Sequence, residues 1–534
     1  MSVKAAMIGL DGAAWHLVDP LIDDGHMPNL ATLRASGGGG VLDSTIPTYT
    51  PPAWTSAATG VNPGRHGIYG FLEGNAQNEG LVLVHSGKIR ASTIWEIANA
   101  QGAKVGVYNL PLTYPPRELD GWMVSGMMTP GYGERLKGFA FPRPVEERIL
   151  QWVPDYVLDI SPNWETDWKD ASLCKRIVDS LAQRRLVLEK LLTEDTPDVL
   201  FAVLEAPDRL QHVYYRYMDP ADEMYDSAAG KEIRPEIVKC FAAMDDIVGL
   251  VAEHADDGVI VCSDHGFTAW EFSVHTNALL QQWGYLKIKP AARAMQTGPA
   301  RAMVPLAKRV LPAKTARKAK GKTFAAVDWS KTKAFASPIP QQGIFINIAG
   351  RERFGIVPES EVQGLKDDIA RRFESLTGPE GKPVTDRVWR SEEVFHGDAL
   401  DGAPDLLPVL RNHRFELDDE LFHKEPFTDL AHLPRGVHHP DGIVVVSGTG
   451  VGAGGSLHTS VLDVTPTLLY MAGLDVPEGL DGTVMSAAFD PEHLQDRPIS
   501  TTAPLSSSSK DEDSPYSAEE EAVIEESLRG LGYL

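Results

Sequence analysis

At 534 residues and a formal charge of −24, the chain is too long for one ordinary small domain, and its acidity disfavours a general role on nucleic acid, whose polyanionic backbone is met by basic surfaces. With 43% hydrophobic and 23% charged residues it has the profile of a globular protein with a large buried core, which excludes a wholly disordered chain. Its three cysteines, Cys174, Cys240 and Cys262, lie far apart with no CxxC spacing, which argues against a disulfide framework and a zinc–thiolate site and for reduced thiols in a cytoplasmic setting.

The first apolar run, Ala6–Leu10, reads as a strand ending at Asp11-Gly12. The segment is too short for a signal h-region with a cleavage site, and no later window supplies the roughly eighteen apolar residues of a membrane span. A soluble cytoplasmic protein is therefore expected. After the flexible Gly37 to Gly40 run comes a Thr/Pro-rich segment, Pro47 to Gly60. Pro51 suits the first turn of a helix, so Thr50 is expected as the N-cap of a helix running to Gly60, where the dipole and free N–H groups favour an anion. Without metal ligands elsewhere, Thr50 would be read as no more than a cap.

Strands are expected at Lys104–Tyr108, Asp198–Leu204, Gly258–Cys262 and Gly442–Ser447, and helices at Ala171–Leu192, Pro235–His254, Glu359–Leu376 and Val461–Ala472. This alternation predicts an α/β fold, a mostly parallel central sheet between helices, with cap insertions around 110–170 and 285–335. In such sheets ligands sit beyond the carboxyl ends of the strands, and three strands end beside polar clusters: Asp11, then Glu205 to Asp208, then Ser263-Asp264-His265. Asp208 and His212 are spaced i, i+4, so on a helix they share a face and can bind one metal, although an isolated pair of this kind is more often a solvated acid and base. Asp264 and His265, adjacent at a strand end before Gly266, can bind one cation, and a surface loop explains an isolated Asp-His about as well.

Two further segments lack strand or helix periodicity. Between about Lys287 and Lys322 an Ala-, Lys- and Arg-rich stretch, with no acidic residue between Pro290 and Ala326, reads as an insertion or lid. Its cations, among them Arg301, Lys308, Arg309, Lys314, Arg317, Lys318, Lys320 and Lys322, would be a solvated insertion, a funnel for an anionic ester, or a contact for anionic lipid headgroups. Residues 491–516, with Ser506 to Ser509, read as a linker, and 517–534 as an acidic amphipathic helix docked as a tail.

Asp11-Gly12, Met27-Pro28-Asn29-Leu30, the Pro47-Thr-Tyr-Thr-Pro51 segment, Ala58-Thr59-Gly60-x-x-Pro63-x-x-His66-Gly67-Ile68, Asp208-x-x-x-His212, Ser263-Asp264-His265-Gly266 and Gly436-Val437-His438 occur in the order found in one family. In this the sequence resembles the type I phosphodiesterase/nucleotide pyrophosphatase branch of the alkaline-phosphatase superfamily, with the likeness reaching almost to residue 485. The resemblance implies an alkaline-phosphatase-like three-layer sandwich over residues 1–490. It also implies one metal site from Asp11, Thr50, Asp264 and His265, another from Asp208, His212 and His438, and Thr50 as nucleophile. His439 and then His458 stand behind His438 as the third ligand. Two divalent cations, zinc or manganese, suit such mixed carboxylate and imidazole ligands. The implied activity is metal-dependent hydrolysis of a small anionic phosphate ester through a phospho-threonine intermediate, diesters ahead of monoesters. The alternatives are a phosphomonoesterase, a nucleotide pyrophosphatase, a phosphoryl or phosphoalcohol transferase, and an inactive interaction module. The helix after Thr50 contains no Asn, a departure from the nucleotide pyrophosphatases, and Thr50 to Trp54 contains no Cys or Arg, a departure from the sulfatases. His66 is expected to cap a turn, and Trp54, Tyr49 and Tyr69 to pack in the core.

Overall fold

Runs of Val, Ile, Leu and Ala without polar alternation make strands that are buried on both faces. Such runs build a nine-stranded sheet in the computed structural model, which describes residues 2–74, 81–131, 136–163, 166–290, 292, 324–337, 343–505 and 513–530. In chain order its strands are β1 (Val3–Leu10), β2 (Gly38–Asp43), β3 (Val105–Leu110), β4 (Gly121–Ser125), β5 (Ala140–Phe141), β6 (Val199–Leu204), β7 (Ala255–Cys262), β8 (Asp441–Gly448) and β9 (Ser456–Ser460). Their spatial order is β9-β2-β8-β7-β1-β6-β3-β4-β5. The central strand β1 pairs in parallel with β6 and β7, β3 is parallel to β6 and β4, and only β8 and β5 run antiparallel to their neighbours.

Alternate side chains of each strand feed two cores. Ala6, Ile8 and Leu10 of β1 with Leu200, Ala202 and Leu204 of β6 pack under helices α2 (Ser172–Glu194), α3 (Ala206–Met218) and α4 (Ala228–His254). Ala5 and Met7 with Val199, Phe201 and Val203 pack on the opposite face against α1 (Thr50–Thr59) and α6 (Val464–Met471). The result is the three-layer helix–sheet–helix sandwich. Helix α4 begins at Ala228, capped by Ser227, whose Oγ accepts from Gly230 N at 3.0 Å, and not at the expected Pro235. Pro235 lies inside the helix, two turns after its start.

Between residues 110 and 170, where an insertion was expected, the chain supplies β4, β5 and the helix Arg143–Trp152, and puts Trp122, Val124, Val145 and Ile149 into the main core. A second lobe has its own core, which takes in residues from Val274 to Leu421. It is built on the antiparallel strands Ala334–Ala336, Ile344–Ile346, Leu406–Leu410 and Thr385–Arg390 and on α5 (Glu359–Glu374). It therefore extends well past residue 335, and the basic stretch 301–322 lies outside the described residues. Helix α7 (Ala518–Gly530) docks through Ile524 and Leu528, and Tyr516 Oη before it donates to Met128 O at 3.1 Å. Ser506 to Ser509 of the expected linker and residues 531–534 also lie outside the described residues. Among the described residues no helix is long and apolar enough to cross a membrane, and Cys174, Cys240 and Cys262 are free thiols.

One buried ion pair anchors the carboxyl end of β6. The Arg184 guanidinium of α2 lies against both oxygens of Glu205, to which Asn109 Nδ2 also donates at 2.6 Å, with Arg184 and Glu205 both fully buried. Breaking such a pair from one side leaves an uncompensated charge in a low dielectric. Arg184→Met is expected to cost about 3–5 kcal/mol in a denaturant titration, and Arg184→Met/Glu205→Gln distinctly less.

Candidate active site

Six buried acidic and imidazole groups meet beyond the carboxyl ends of β1, β6 and β7, in two clusters: Asp11, Asp264 and His265, and Asp208, His212 and His438. Within each cluster the ligating atoms lie within 4.8 Å of one another. The clusters adjoin, since the His265 and His438 rings stack with centroids 3.9 Å apart. Thr50 is fully buried beside the first, its Oγ1 3.3 Å from His265 Nε2.

The local folding of each group follows from its sequence. The chain leaves β1 at Asp11 and turns at Gly12, whose φ of +71° suits glycine and where a Cβ would sit 2.6 Å from the Phe267 ring. Asp208 and His212 stand one turn apart on α3, with His212 Nε2 3.2 Å from Asp208 Oδ1. His438 lies on the short strand Gly436–His439, paired with Gly266–Ala269, where successive side chains point to opposite faces. That alternation separates His438 from His439, and His458 lies on another strand altogether. His438 Nε2 is 3.1 Å from His212 Nε2 and 3.4 Å from Asp208 Oδ1, whereas His439 turns outward to Asn412 and His458 lies on edge strand β9 against Asp43.

The orientation of the donors points inward. Each imidazole has Nδ1 against a backbone carbonyl: His265 on Gly266 O at 3.1 Å, His212 on Gly436 O at 3.3 Å, and His438 on Thr48 O at 3.3 Å. A carbonyl only accepts, so Nδ1 carries a proton and Nε2 is the ring atom turned to the cluster. Each carboxylate likewise has one oxygen held from behind. Trp54 Nε1 donates to Asp11 Oδ2 at 3.0 Å, Gly12 N to Asp264 Oδ1 at 3.2 Å, and Arg209 Nη1 to Asp208 Oδ2 at 2.6 Å. Asp11 Oδ1 and Asp264 Oδ2 are buried without a hydrogen-bond partner, an arrangement that protein interiors rarely leave unanswered.

The electrostatics agree with the geometry. Burial pushes the Asp11 carboxyl well above its usual range, with Asp264 and Asp208 adding to it, and burial raises Asp264 to about 7. Asp208 is held well below the usual range: burial opposes its charge, but His212, His438 and Arg209 outweigh burial. Burial keeps His265 and His212 neutral, while at His438 it is outweighed by Asp208, which draws a proton there. Inward-facing Nε2 atoms, two orphaned carboxylate oxygens, and an Asp208 carboxylate that favours positive charge beside it are what a site for two divalent cations presents, and these residues fit such ions.

Thr50 is the first residue of α1 and Tyr49 its N-cap, one residue from expectation. The expected set of free amides is also reduced. Pro51 and Pro52 carry no N–H and Ala53 N donates to Tyr49 O at 3.1 Å, which leaves only the Thr50 amide in the first turn. His66 does not reach the clusters: it accepts from Ile68 N and meets Ser56 Oγ at 2.9 Å, fastening the turn after α1. Tyr69 packs on Phe395, and Tyr49 lies over Phe71 with its ring 5.7 Å from that of His438.

Sequence reasoning missed the groups that orient the carboxylates, above all Trp54 and Arg209. Arg209 is fully buried beside Asp208 and also reaches Asp159 at 3.1 Å, and its place directly after a candidate ligand was the available signal. Trp54 fits because β1 has Gly9 where a Cβ would lie 2.2 Å from the indole. Trp54→Phe keeps an aromatic ring in place and removes the donor to Asp11, so cation affinity is expected to fall about 10- to 100-fold at one of two sites, measured by titration calorimetry. Unchanged affinity at both would remove this positioning role.

A family profile described as type I phosphodiesterase / nucleotide pyrophosphatase matches residues 5–410. Among solved structures, phosphonoacetate hydrolase from Sinorhizobium meliloti is similar to the chain in complexes with phosphonoformate and with phosphonoacetate. The identity is 17% and the TM-scores are 0.53 and 0.54, over 88% of this chain and 95% of that one. A murine ectonucleotide pyrophosphatase / phosphodiesterase 5 in complex with AMP aligns at 13% identity and a TM-score of 0.48, over 93% of this chain and 99% of that one. No curated protein matches the chain. At 17% identity the first likeness speaks for the fold alone.

Proposed function

The chain belongs to the type I phosphodiesterase/nucleotide pyrophosphatase family of phosphoester-hydrolysing enzymes, and from that premise we propose that it is a metal-dependent hydrolase of phosphoric esters, diesters ahead of monoesters, that works through a phosphorylated Thr50. The observation that carries this reading is the convergence of two buried donor clusters on one buried hydroxyl. We assign residues 1–490 to the catalytic body and 517–534 to the tail; of the expected linker 491–516, the helix Pro491–Asp496 and the strand Thr501–Thr502, which pairs with Val476–Pro477, belong with the body, and a cytoplasmic location fits the reduced thiols.

Asp11, Asp264 and His265, with Thr50, would hold one cation, and Asp208, His212 and His438 the other. Such ions, zinc or manganese, lower the pKa of a hydroxyl and offset charge on phosphoryl oxygens. Thr50 Oγ attacks phosphorus, its proton leaves with the displaced alcohol, and a Thr50 phosphoester forms. Water then attacks that phosphorus, releasing the phosphate product and restoring the Thr50 hydroxyl. The stacked rings of His265 and His438 fix the distance between the clusters, and burial of Thr50 keeps bulk water from competing before the alcohol has left.

The test is release of p-nitrophenol from bis-p-nitrophenyl phosphate, p-nitrophenyl phosphate and nucleotide p-nitrophenyl esters with zinc, manganese or magnesium, before and after chelation. Turnover fastest on the diester and abolished by chelation is expected. Removing cations should also lower stability by about 3 kcal/mol relative to protein at a hundredfold excess over Kd, read as a lower melting temperature. Absence of turnover on every ester with every ion would refute the reading, and a new ester formed with an added alcohol would reassign the enzyme to group transfer.

A further inference from the structure

A cavity of about 400 Å³ opens beside the second cluster, between the main body and the second lobe. Its main-body wall is Asp43, Ser44 and Ile46 to Thr48 together with Val437, His438 and Pro440, and its other wall is Trp389 and Arg387, Leu407 to Leu410, and Phe415 and Glu416. The volume lies within the range of small-molecule sites, and the seam between two hydrophobic bodies is where such sites concentrate. His438 belongs to both the cavity and the Asp208–His212 cluster, and Thr48, whose carbonyl accepts from His438 Nδ1, lines it as well. A group attached to phosphorus at Thr50 can therefore extend into this space.

The wall chemistry is selective. Ile46, Trp389, Leu407, Leu410, Phe415 and Val437 make most of it apolar. Among the described residues its charges are the carboxylates of Asp43, Glu416 and Asp441 against the single permanent cation of Arg387. Arg387 is engaged, stacked 3.3 Å above the Trp389 ring and 3.4 Å from Glu393. Burial pulls His413 down to about 3, so it adds no charge at neutral pH. Apolar surface attracts an uncharged organic group, and an excess of carboxylates repels a second anion.

We propose that this cavity is the subsite for the organic substituent of the phosphoryl substrate, and that it takes an uncharged apolar group, alkyl or aryl, and discriminates against one carrying a further negative charge. The proposal rests on the phosphoester reading for the placement of phosphorus.

Its test uses binding, so that it does not depend on turnover. With the cation-loaded protein, Kd is measured by calorimetry for methyl-, butyl- and octylphosphonate and for an ω-carboxyalkylphosphonate of octyl length. Affinity is expected to rise about two- to fourfold per methylene, and the carboxylate to weaken binding at least tenfold relative to octyl. Trp389→Ala on one wall and Ile46→Ala on the other should each flatten the chain-length series, and two variants guard against a folding defect in one. A flat series, equal affinity for the ω-carboxylate, or no phosphonate binding overturns the proposal. A rising series in a protein that hydrolyses none of the test esters would sustain the cavity assignment while removing the hydrolase reading, and ester turnover with a flat series would do the reverse.

Discussion

Thr50→Ala is expected to lower kcat/KM on a phosphodiester by at least ~10³-fold, because loss of a nucleophile leaves only the residual rate that binding and electrostatics supply. The hydroxyl is fully buried at the start of α1, and its hydrogen bond is a long one, 3.3 Å to His265 Nε2. Removing it should therefore cost only about 1 kcal/mol of stability, a typical figure for a single substitution. Thr50→Ser keeps the oxygen and should retain turnover well above the Ala variant. In wild-type protein quenched during turnover, mass spectrometry should find the phosphoryl mass on the peptide containing Thr50. Near-normal turnover by Thr50→Ala, with the protein folded and loaded, would place the nucleophile elsewhere.

The second large effect is expected at Asp208. Its Oδ1 faces His212 and His438 while its Oδ2 accepts from Arg209, so Asp208→Asn removes the charge around which three groups are arranged. The variant should lose one of two bound cations and at least ~10²-fold in kcat. It should also lose about 3 kcal/mol of stability, since the buried Arg209 loses the carboxylate to which it donates at 2.6 Å. Asp264→Asn should show the same loss of one cation at the other cluster. His439→Ala and His458→Ala, which alter residues turned away from the clusters, should leave both cations in place. Equal loss of metal from all four variants would mean that the clusters are not the binding sites.

How much was legible in the sequence depended on the range of the interaction. The five principal strands were visible because β1, β3, β6, β7 and β8 are continuous apolar runs, and all five lie in the main sheet. Asp208 with His212, and Asp264 with His265, were legible because the period of a helix or the end of a strand places each pair together without tertiary information. His438 could not be separated from its neighbours by spacing. Only pairing of Gly436–His439 with Gly266–Ala269 fixes which side chain faces His212. Trp54 and Arg209 were illegible for a similar reason. Trp54 reaches Asp11 across 43 residues of sequence, and nothing local marks Gly9 as the space that admits the indole.

Elsewhere, local signals misled. Pro235 looked like the start of a helix that begins at Ala228, and the first turn of α1 looked rich in free amides although Pro51 and Pro52 have none. The second lobe was underestimated because the strands Ala334–Ala336 and Ile344–Ile346 are too short to register against their surroundings. Their place is set by pairing with each other and with Leu406–Leu410.

Crystals grown with zinc and measured at the zinc absorption edge provide the most direct measurement of what the clusters do. Two anomalous peaks are predicted, one bounded by Asp11, Asp264, His265 and Thr50 and one by Asp208, His212 and His438. Both should vanish after chelation, with loss of turnover. A single peak, or peaks elsewhere on the molecule while these seven side chains stay empty, would contradict the account.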